Sequence, residues 1–328
     1  MLYILDRLNG TPKSVENISA YSISTDTTLL AASTVSTINA AEKGDFVYID
    51  NEDYFGVVTG SAVNQLQVSS LYSMFDRRIL KPTGPEATFE AELLKIINAN
   101  FINIADTFFQ YPFEASKSSS FATGTYVYKP DSDGCVNVLS VYKDMHKRQG
   151  TTLDFVMMAD GIKILITNPI NEGTQKILDL SKLNVISEEQ QGESVGRVST
   201  RNTSNSTSIH YYGYTDGSFS TNDSVGGKTR LHGRYEWIVG DTAATLVDSA
   251  ESAFAENKYN HLIEFSAPST ILGQTLRLND WVKVKGRNGT IYNSYISCVT
   301  ATSNSKLINY KTGNLRVSLT DKLRRMKV

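Results

Sequence analysis

The stretch GDFVYIDNEDYFGVVTG, from Gly44 to Gly60, decides the fold because a second stretch near the other end of the chain repeats its pattern. That second stretch is NDWVKVKGRNGTIYNSYISCVTA, from Asn279 to Ala301. Near its start each has an Asp followed by an aromatic residue, then alternating apolar residues, a polar connection and an aromatic-led apolar run. Alternation of period two around a polar turn is typical of a β-hairpin. The repeat predicts two related small β-barrels, one at each end of the chain.

The similarity has a simpler explanation, because hairpin chemistry is generic and any two hairpins share an alternating pattern. A second match favours the repeat, since Ala32-Ser33-Thr34 precedes the first hairpin and Ala267-Pro268-Ser269-Thr270 precedes the second. Alternation also predicts that the Trp281 ring is buried. We expect the barrel edges at the hairpins to form assembly surfaces. The residues assigned to these surfaces are Asp45, Phe46, Tyr54, Asp280, Trp281 and Tyr295.

Length and pattern together predict an α+β, β-rich fold, with two small β-barrel domains and α+β units between them. At roughly 150 residues per domain, 328 residues suggest two or three domains. Short strands over residues 1–82 indicate an N-terminal barrel, which we expect strands from about 171–190 to complete. Residues 83–170 form an α+β domain, and residues 171–240 form a β-rich connecting region. A helix and the C-terminal barrel occupy residues 241–328.

Periodicity places individual elements in the α+β domain. Apolar residues at helical spacing predict a helix over about 85–107, followed by a strand over 124–128. A second helix ends at Gly150, the residue type that commonly stops a helix. The Asp-Gly pair at 160–161 predicts a tight hairpin turn. Two strands are expected to complete the C-terminal sheet, at Leu307–Tyr310 and Leu315–Leu319.

Composition argues against several function classes. A net charge of −2 is unlike that of duplex-binding proteins, which carry a basic face. The distant cysteines Cys135 and Cys298 suit buried apolar positions better than a disulfide, and the four histidines form no zinc-binding pattern. The N-terminus does not read as a secretory signal, and no apolar run approaches the ~18 residues of a membrane span. We therefore expect no cofactor, no metal and no membrane segment.

Two ligand-binding motifs are incomplete. Asp131-Ser132-Asp133-Gly134 resembles the start of a calcium loop, but its twelfth position is Tyr142 instead of an acidic ligand. Gly227-Lys228-Thr229 resembles the end of a phosphate-binding loop, but its first glycine position is Asn222. Neither calcium nor nucleotide binding is expected.

Catalytic signatures are also missing from the sequence. None of the histidines lies in a triad-like pattern, and the close acidic pairs Glu188-Glu189 and Asp131/Asp133 lie in polar turns. We nominate no catalytic residue, although carboxylates distant in sequence could still meet in the fold. The 17 tyrosines suit a binding or assembly surface, because Tyr offers a large rigid contact area.

Three parts of the chain carry a family resemblance. They are the hairpins led by Gly44-Asp45-Phe46 and Asn279-Asp280-Trp281, the segment Ile186 to Asn202, and the run from Tyr211-Tyr212 through Ala243 to Glu256 into Lys258 to Phe265. In this order they resemble the tail hub, or tail-associated, proteins of phages and prophages of Gram-positive bacteria. That family is similar to the baseplate hub of contractile-tailed phages and to the base of the type VI secretion spike.

The resemblance implies a non-enzymatic homotrimer whose tandem barrels make a pseudo-sixfold ring between a sixfold tail tube and a threefold tip. Implied partners are the distal tail protein, the tail tube protein, the tape-measure protein and tail-tip or receptor-binding proteins. DNA would pass through the lumen without sequence-specific binding, in a virion assembled in the host cytoplasm. Longer family members continue into a peptidoglycan-cleaving or fibrous region, whereas this chain stops at Val328. The alternatives are a cell-wall hydrolase and a carbohydrate-binding tail-tip protein.

Overall fold

Strands dominate the protein, which confirms the predicted β-rich α+β fold. A computed structural model describes residues 1–26, 32–85, 87–118, 124–173, 175–190, 194–215, 217–259, 261–268, 270–271, 274–285, 289 and 291–313. The strand expected at Leu315–Leu319 lies outside these residues. Across the described ranges, no helix combines the length and the apolar character that crossing a membrane requires.

The N-terminal region consists of short strands joined by tight connections. The strands are β1 (Leu2–Leu5), β2 (Pro12–Glu16), β3 (Tyr21–Asp26), β4 (Ala32–Ser36), β5 (Phe46–Ile49), β6 (Tyr54–Ala62), β7 (Gln65–Ser70) and β8 (Arg78–Leu80), with 3₁₀ helices at Asp50–Glu52 and Leu71–Phe75. Alternating burial along β4 and β7 shows one face of this sheet turned to the core, as the period-two pattern predicts.

The α+β region follows, and it contains most of the helical residues that the structure describes. Its elements are α1 (Phe89–Ile97), a π-helical turn (Asn98–Ile102), a 3₁₀ helix (Thr107–Phe109), β9 (Phe113–Lys117), β10 (Cys135–Asn137), α2 (Val138–Gln149), β11 (Thr152–Met158), β12 (Gly161–Thr167) and α3 (Pro169–Glu172). The expected helix over 85–107 is thus shorter, because Thr88 is still extended and the last turn widens after Ile97.

Local turn chemistry predicted the end of α2 and the following hairpin. Gly150 adopts a left-handed conformation with φ 79°, and its N–H donates to the His146 carbonyl. The strands β11 and β12 pair as predicted around a tight turn. The prediction of a strand over 124–128 was wrong, because these residues form no strand. The Tyr126 N–H donates to the Ala87 carbonyl, and the Tyr126 ring is buried.

The rest of the chain contains a four-stranded insertion and the C-terminal strands. Its elements are β13 (Lys176–Asp179), a 3₁₀ helix (Leu180–Lys182), β14 (Asn184–Gln190), β15 (Val195–Asn202), β16 (Ser208–Gly213), β17 (Phe219–Ser220), β18 (Arg234–Gly240), α4 (Ala243–Ala255), a 3₁₀ helix (Glu256–Tyr259), β19 (His261–Ala267), β20 (Thr270–Ile271), β21 (Gln274–Thr275), β22 (Trp281–Lys285), β23 (Ile291–Thr302) and β24 (Ile308–Gly313).

Strands from both ends of the chain join one 13-stranded sheet. An N-terminal half-sheet has the order β3-β4-β7-β6-β5-β1-β2, and a C-terminal half-sheet has the order β14-β19-β24-β23-β22-β13. Five strands of each half-sheet repeat the same order, β3-β4-β7-β6-β5 and β14-β19-β24-β23-β22. The next strand differs, because β1 pairs antiparallel with β5 whereas β13 pairs parallel with β22. The half-sheets are joined where β23 pairs with β3. The strand pairs described here do not close either half-sheet into a barrel.

The position of β13 and β14 corrects one expectation. These strands lie within residues 171–190, which we expected to complete the N-terminal barrel. They pair instead with β22 and β19 of the C-terminal half-sheet. Their partners follow the insertion in sequence, so local pattern could not identify them.

The helix α4 belongs to the insertion and not to the C-terminal half-sheet. It covers one face of the sheet β17-β16-β15-β18, with Ala250 and Phe254 packed against Val195, Val198 and Tyr211. The domain boundary expected at residue 241 is therefore misplaced, because it separates α4 from the sheet against which α4 packs.

The α+β region packs across both half-sheets. Its core contains α1, α2 and the three-stranded sheet β11-β12-β9. The same apolar cluster includes Phe46 and Phe55 of the N-terminal half-sheet. A second cluster spans the joint between the half-sheets and includes Ile23 of β3 and Ala301 of β23.

Candidate assembly site

The first hairpin is held by a specific network at its entry. Gly44, with φ 97°, donates its N–H to the Val58 carbonyl, and Val58 donates back to the Asp45 carbonyl, both at 2.9 Å. The buried Asp45 carboxylate accepts the Glu42 N–H at 2.8 Å and faces Lys13 Nζ at 3.0 Å. Burial of this carboxylate is possible because it is both hydrogen-bonded and paired with a cation.

The second hairpin repeats this network. Asn279, with φ 66°, donates its N–H to the Ile296 carbonyl at 2.8 Å, and Ile296 donates back to the Asp280 carbonyl at 2.9 Å. The Asp280 carboxylate accepts the Arg277 N–H at 2.6 Å and pairs with Lys176. Two unrelated hairpins have no reason to share these contacts, so the network supports an internal repeat.

In sequence, an apolar run led by a Tyr follows the turn of each hairpin, which predicts that Tyr54 and Tyr295 are equivalent. The register of the hairpins corrects this expectation. Phe46 lies opposite Val57, and Trp281 lies opposite Tyr295. Tyr295 is therefore the counterpart of Val57 and not of Tyr54. The second hairpin is longer than the first, so the two Tyr residues do not occupy the same position in the register.

The predicted assembly residues are mostly internal to the subunit. Asp280 is half-buried, and the other five are buried, namely Asp45, Phe46, Tyr54, Trp281 and Tyr295. Their side chains thus have little surface to offer a partner. Any role of the hairpins in assembly would have to use their strand edges.

The leading aromatic residue of each hairpin anchors a half-sheet to the α+β region. The Phe46 ring lies 5.2 Å from that of Phe113. The Trp281 ring lies 4.6 Å from that of His146, and its Nε1–H donates to the Gly150 carbonyl at 3.1 Å. Phe46 and Trp281, which are equivalent in the repeat, therefore both pack against the α+β region.

A small cavity of about 70 Å³, with a mixed polar and apolar lining, lies where the two half-sheets meet β11. It is lined by Asp53, Asp154 and Arg277, and Arg277 pairs with Asp53. Burial and the nearby Asp280 raise the pKa of Asp154 to about 6. Within the described ranges, no three His, Cys, Asp or Glu residues are grouped as metal ligands.

One face of the insertion sheet is open and aromatic, opposite the face that α4 covers. Trp237 is 54% exposed and Tyr235 46% exposed, with their rings 5.9 Å apart. The Arg197 guanidinium lies 4.9 Å from the Tyr235 ring, and Tyr235 donates its hydroxyl to Ser199 at 3.0 Å. Sequence reasoning missed this face, although the alternation of large and polar residues in β18 was a usable signal.

The fold occurs in known tail proteins. Neither a protein-family model nor a curated protein sequence matches this chain. Among solved structures, it is similar to prophage tail protein gp18 from Listeria monocytogenes EGD-e, with 12% identity and TM-score 0.55, over 100% of this chain and 98% of that one.

Two further tail proteins share the fold over nearly their whole length. The tail protein from Neisseria meningitidis MC58 has 12% identity and TM-score 0.53, over 98% of each chain. The 43 kDa tail protein of prophage MuSo2 from Shewanella oneidensis has 14% identity and TM-score 0.52, over 95% of this chain and 98% of that one. The expected likeness to phage tail proteins is confirmed for the fold, whereas a Gram-positive host stays a prediction.

Proposed function

We propose that this protein is a structural hub of the distal phage tail. The observation that carries the proposal is the shared fold, which extends over 95% or more of this chain in three tail proteins. A match of this extent includes both half-sheets, the α+β region and the insertion. It therefore concerns the whole architecture and not one common hairpin.

The internal repeat supports a ring of three subunits. Three copies would supply six equivalent half-sheets, so the ring could match a sixfold tail tube. The α+β region and the insertion occur once in each subunit, and they would present threefold symmetry to a tip. Closed cyclic assemblies of identical chains are common because each interface is used fully.

The partners follow from this position in the tail. The ring would bind the distal tail protein and the tail tube protein on one side, and tail-tip or receptor-binding proteins on the other. The tape-measure protein and then DNA would pass through it, gated by the ring. The net charge of −2 suits passage, because a strongly basic lumen would retain the phosphates. Assembly would take place in the host cytoplasm, and the final location would be the virion tail tip.

The test is the mass of the purified chain by light scattering, followed by negative-stain images of the same peak. We expect three times the subunit mass and ring-shaped particles. A monomeric mass at high concentration, with no rings, would contradict the proposal.

The open aromatic face of the insertion favours a second candidate, a carbohydrate-binding tail-tip protein. Exposed Trp and Tyr rings offer flat apolar surfaces at low entropic cost. Purified host cell walls should then retain the protein and lose it when Trp237 is changed to Ala. Phe108→Ala is the matched control, because Phe108 is 65% exposed and belongs to another part of the chain. Recovery of no protein on cell walls would reject this candidate.

The alternative of a cell-wall hydrolase has no such support. The cavity that holds Asp53 and Asp154 has about 70 Å³, whereas ligand pockets usually have about 300–1,000 Å³. A more open pocket of about 570 Å³ is lined by the carboxylates Asp248 and Glu251, but both of them pair with Arg148. Incubation with purified peptidoglycan tests this alternative, since released fragments would show cleavage.

A further inference from the structure

We propose that the open aromatic face of the insertion sheet binds a glycan that carries carboxylate or phosphate groups. This inference rests on the second candidate function, carbohydrate binding, and names the chemical class of the sugar. The face owes this preference to its positive charge, a half-buried arginine, fixed hydrogen-bond donors and a free indole ring.

The register of the insertion sheet makes this face basic. Arg197 lies opposite both Tyr212 and Tyr235, so the three side chains project to the same side. Arg201 follows two residues later and is exposed, whereas alternation turns Glu236 of β18 to the opposite side. None of the described residues that the register places on this face is Asp or Glu, since the others are Ser199, Ser208, His210, Trp237 and Val239. The face is therefore cationic in a chain of net charge −2.

The Arg197 guanidinium lies over two tyrosine rings. Its central carbon is 4.9 Å from the centre of the Tyr235 ring and 5.6 Å from that of Tyr212. The Arg230 guanidinium lies 4.4 Å from the same Tyr212 ring. Cations and rings thus alternate across the sheet. Contact with the rings holds the flat guanidinium in place and leaves the N–H groups along its edge for a ligand.

Arg197 also has hydrogen-bonding capacity that the subunit does not use. Its Nε–H is buried without a hydrogen-bond partner, and within the described ranges its guanidinium pairs with no carboxylate. A buried donor that stays unsatisfied costs free energy. A carboxylate or phosphate offers two oxygens that a guanidinium binds side by side. An anionic group is therefore the ligand that this arginine suits.

A buried serine fixes a second donor on the face. The Tyr235 hydroxyl donates to Ser199 Oγ at 3.0 Å, and this oxygen lies 2.6 Å from His210 Nδ1. Ser199 is fully buried and has no other hydrogen-bond partner among the described residues, so its hydrogen goes to Nδ1. A neutral His210 then carries its proton on Nε2. Donors of this kind match a ligand rich in acceptor oxygens.

Trp237 supplies an apolar platform beside these donors. Its indole is 54% exposed and stands at 73° to the Tyr235 ring and 79° to the His210 ring. Both neighbours therefore meet the indole edge to face, and neither stacks on it. The C–H side of a sugar ring is flat and apolar, and an acidic sugar presents it next to anionic oxygens.

Single-stranded nucleic acid is the competing ligand, because it also combines flat rings with negative charge. Proteins that bind it offer a row of aromatic residues on which successive bases stack. Here the two exposed rings are nearly perpendicular, and Arg197 lies over the ring of Tyr235. This arrangement suits one sugar ring beside a charge better than a run of bases.

Titration calorimetry with defined sugars tests the chemical class. Tetragalacturonate supplies carboxylates, and its methyl ester is the same chain without charge. Mannose 6-phosphate supplies a phosphate, and mannose is its uncharged counterpart. We expect at least one acidic sugar to bind about 10-fold or more tightly than its uncharged counterpart, and the one that binds identifies the anionic group. Tighter binding of a short oligothymidylate than of either acidic sugar would overturn the assignment in favour of nucleic acid.

Substitutions locate the site. Arg197→Gln should weaken binding of the acidic sugar by about 10-fold or more, and Arg197→Lys should also weaken it, because lysine lacks the planar fork. Arg201→Gln is the matched control, since it removes the same charge from the same face away from the rings, and it should change affinity by less than about fivefold. Equal losses for Arg197→Gln and Arg201→Gln would show only a general attraction of anions and overturn the site. If thermal melts show that the Arg197 variants do not fold, Trp237→Ala replaces them, and unchanged binding of the acidic sugar by that variant would overturn the site as well.

The outcomes separate this inference from the functions on which it could depend. Retention on cell walls that is lost in Trp237→Ala but kept in Arg197→Gln would overturn the acidic class and leave carbohydrate binding standing. No retention on cell walls and no binding of any sugar would overturn both. The hub proposal is tested apart from them, by the mass of the purified chain.

Discussion

At the scale of single residues, Trp281 shows why the hairpins matter to stability. Its ring is 2% exposed and packs against His146, while its Nε1–H is bound by Gly150. We predict that Trp281→Ala lowers the free energy of unfolding by roughly 3–5 kcal/mol, because it leaves a cavity and an unsatisfied carbonyl. Urea unfolding followed by circular dichroism measures this loss.

The matched control is Trp237→Ala. This ring is 54% exposed, so its removal should change the free energy of unfolding by about 1 kcal/mol or less. Equal losses for the two variants would contradict the central position of Trp281. The control also establishes that the Trp237 variant is folded before it is used in cell-wall binding.

Asp154 gives a prediction with a defined sign. Burial raises its folded pKa from 3.8 to about 6, so the folded state loses stability as pH rises through this range. Asp154→Asn should therefore increase the free energy of unfolding at pH 8, by on the order of 1–3 kcal/mol, and have little effect near pH 4. Thermal melts at the two pH values measure the difference.

Asp6→Asn is the control of opposite sign. The N–H of Leu8, and Lys13 nearby, lower the pKa of Asp6, so its ionised form stabilises the fold. The substitution should reduce stability at neutral pH, and the effect should fade on acidification. A stabilising effect of Asp154→Asn that persists at pH 4 would show that ionisation is not its cause.

At the scale of elements, a buried ion cluster joins α2 to α4. Arg148 has a side chain only 4% exposed and lies 2.5 Å from Asp248 and 3.0 Å from Glu251. Asp144, one turn earlier on α2, also contacts it at 3.3 Å. This cluster fixes the insertion on the α+β region, since Asp248 and Glu251 belong to α4.

We predict that Arg148→Ala destabilises the protein by roughly 3–5 kcal/mol, because it leaves the Asp248 carboxylate buried without its main cation. The double variant Arg148→Met with Asp248→Leu should lose much less, since apolar residues replace the whole pair. Lys129→Ala is the control. Lys129 is 33% exposed and lies 3.5 Å from Asp248, so its removal should change the free energy of unfolding little. Chemical denaturation of the four proteins tests the prediction, and equal losses for the single and double variants would contradict it.

The same scale shows which parts of the fold were predictable. The end of α2 at Gly150 and the hairpin of β11 and β12 follow from residues close in sequence, and both were predicted correctly. The partners of β13 and α4 were not, because periodicity identifies a buried face without naming what covers it. For the site, alternation gave the burial of Trp281 correctly. A buried ring anchors the hairpin within the subunit, however, and what it packs against depends on residues distant in sequence, such as His146.

At the scale of the whole molecule, two buried histidines lie where its parts meet. The ring of His146 in α2 packs against the Trp281 ring, and its Nδ1–H donates to the Thr151 carbonyl at 2.9 Å. His261 of β19 contacts Ser294 of β23, with Nε2 and Oγ 2.8 Å apart. Burial lowers the pKa of each histidine from 6.5 to about 4. Both are therefore neutral in the folded protein at neutral pH.

We predict that acid weakens these contacts. Between about pH 6.5 and pH 4 the unfolded chain binds protons at His146 and His261 that the folded chain does not, so stability falls as pH falls through this window. Each histidine should contribute about 2 kcal/mol of loss between pH 8 and pH 5. Burial also raises the pKa of Asp53, Asp154 and Asp248, and these carboxyls act in the opposite direction. The lowered pKa values of Asp6, Asp133 and Asp179 act in the same direction as the histidines. Urea midpoints should therefore fall on acidification, and the double variant His146→Gln with His261→Gln should flatten the dependence. If the double variant keeps the slope of the natural protein, the buried histidines are not the groups that set its acid stability.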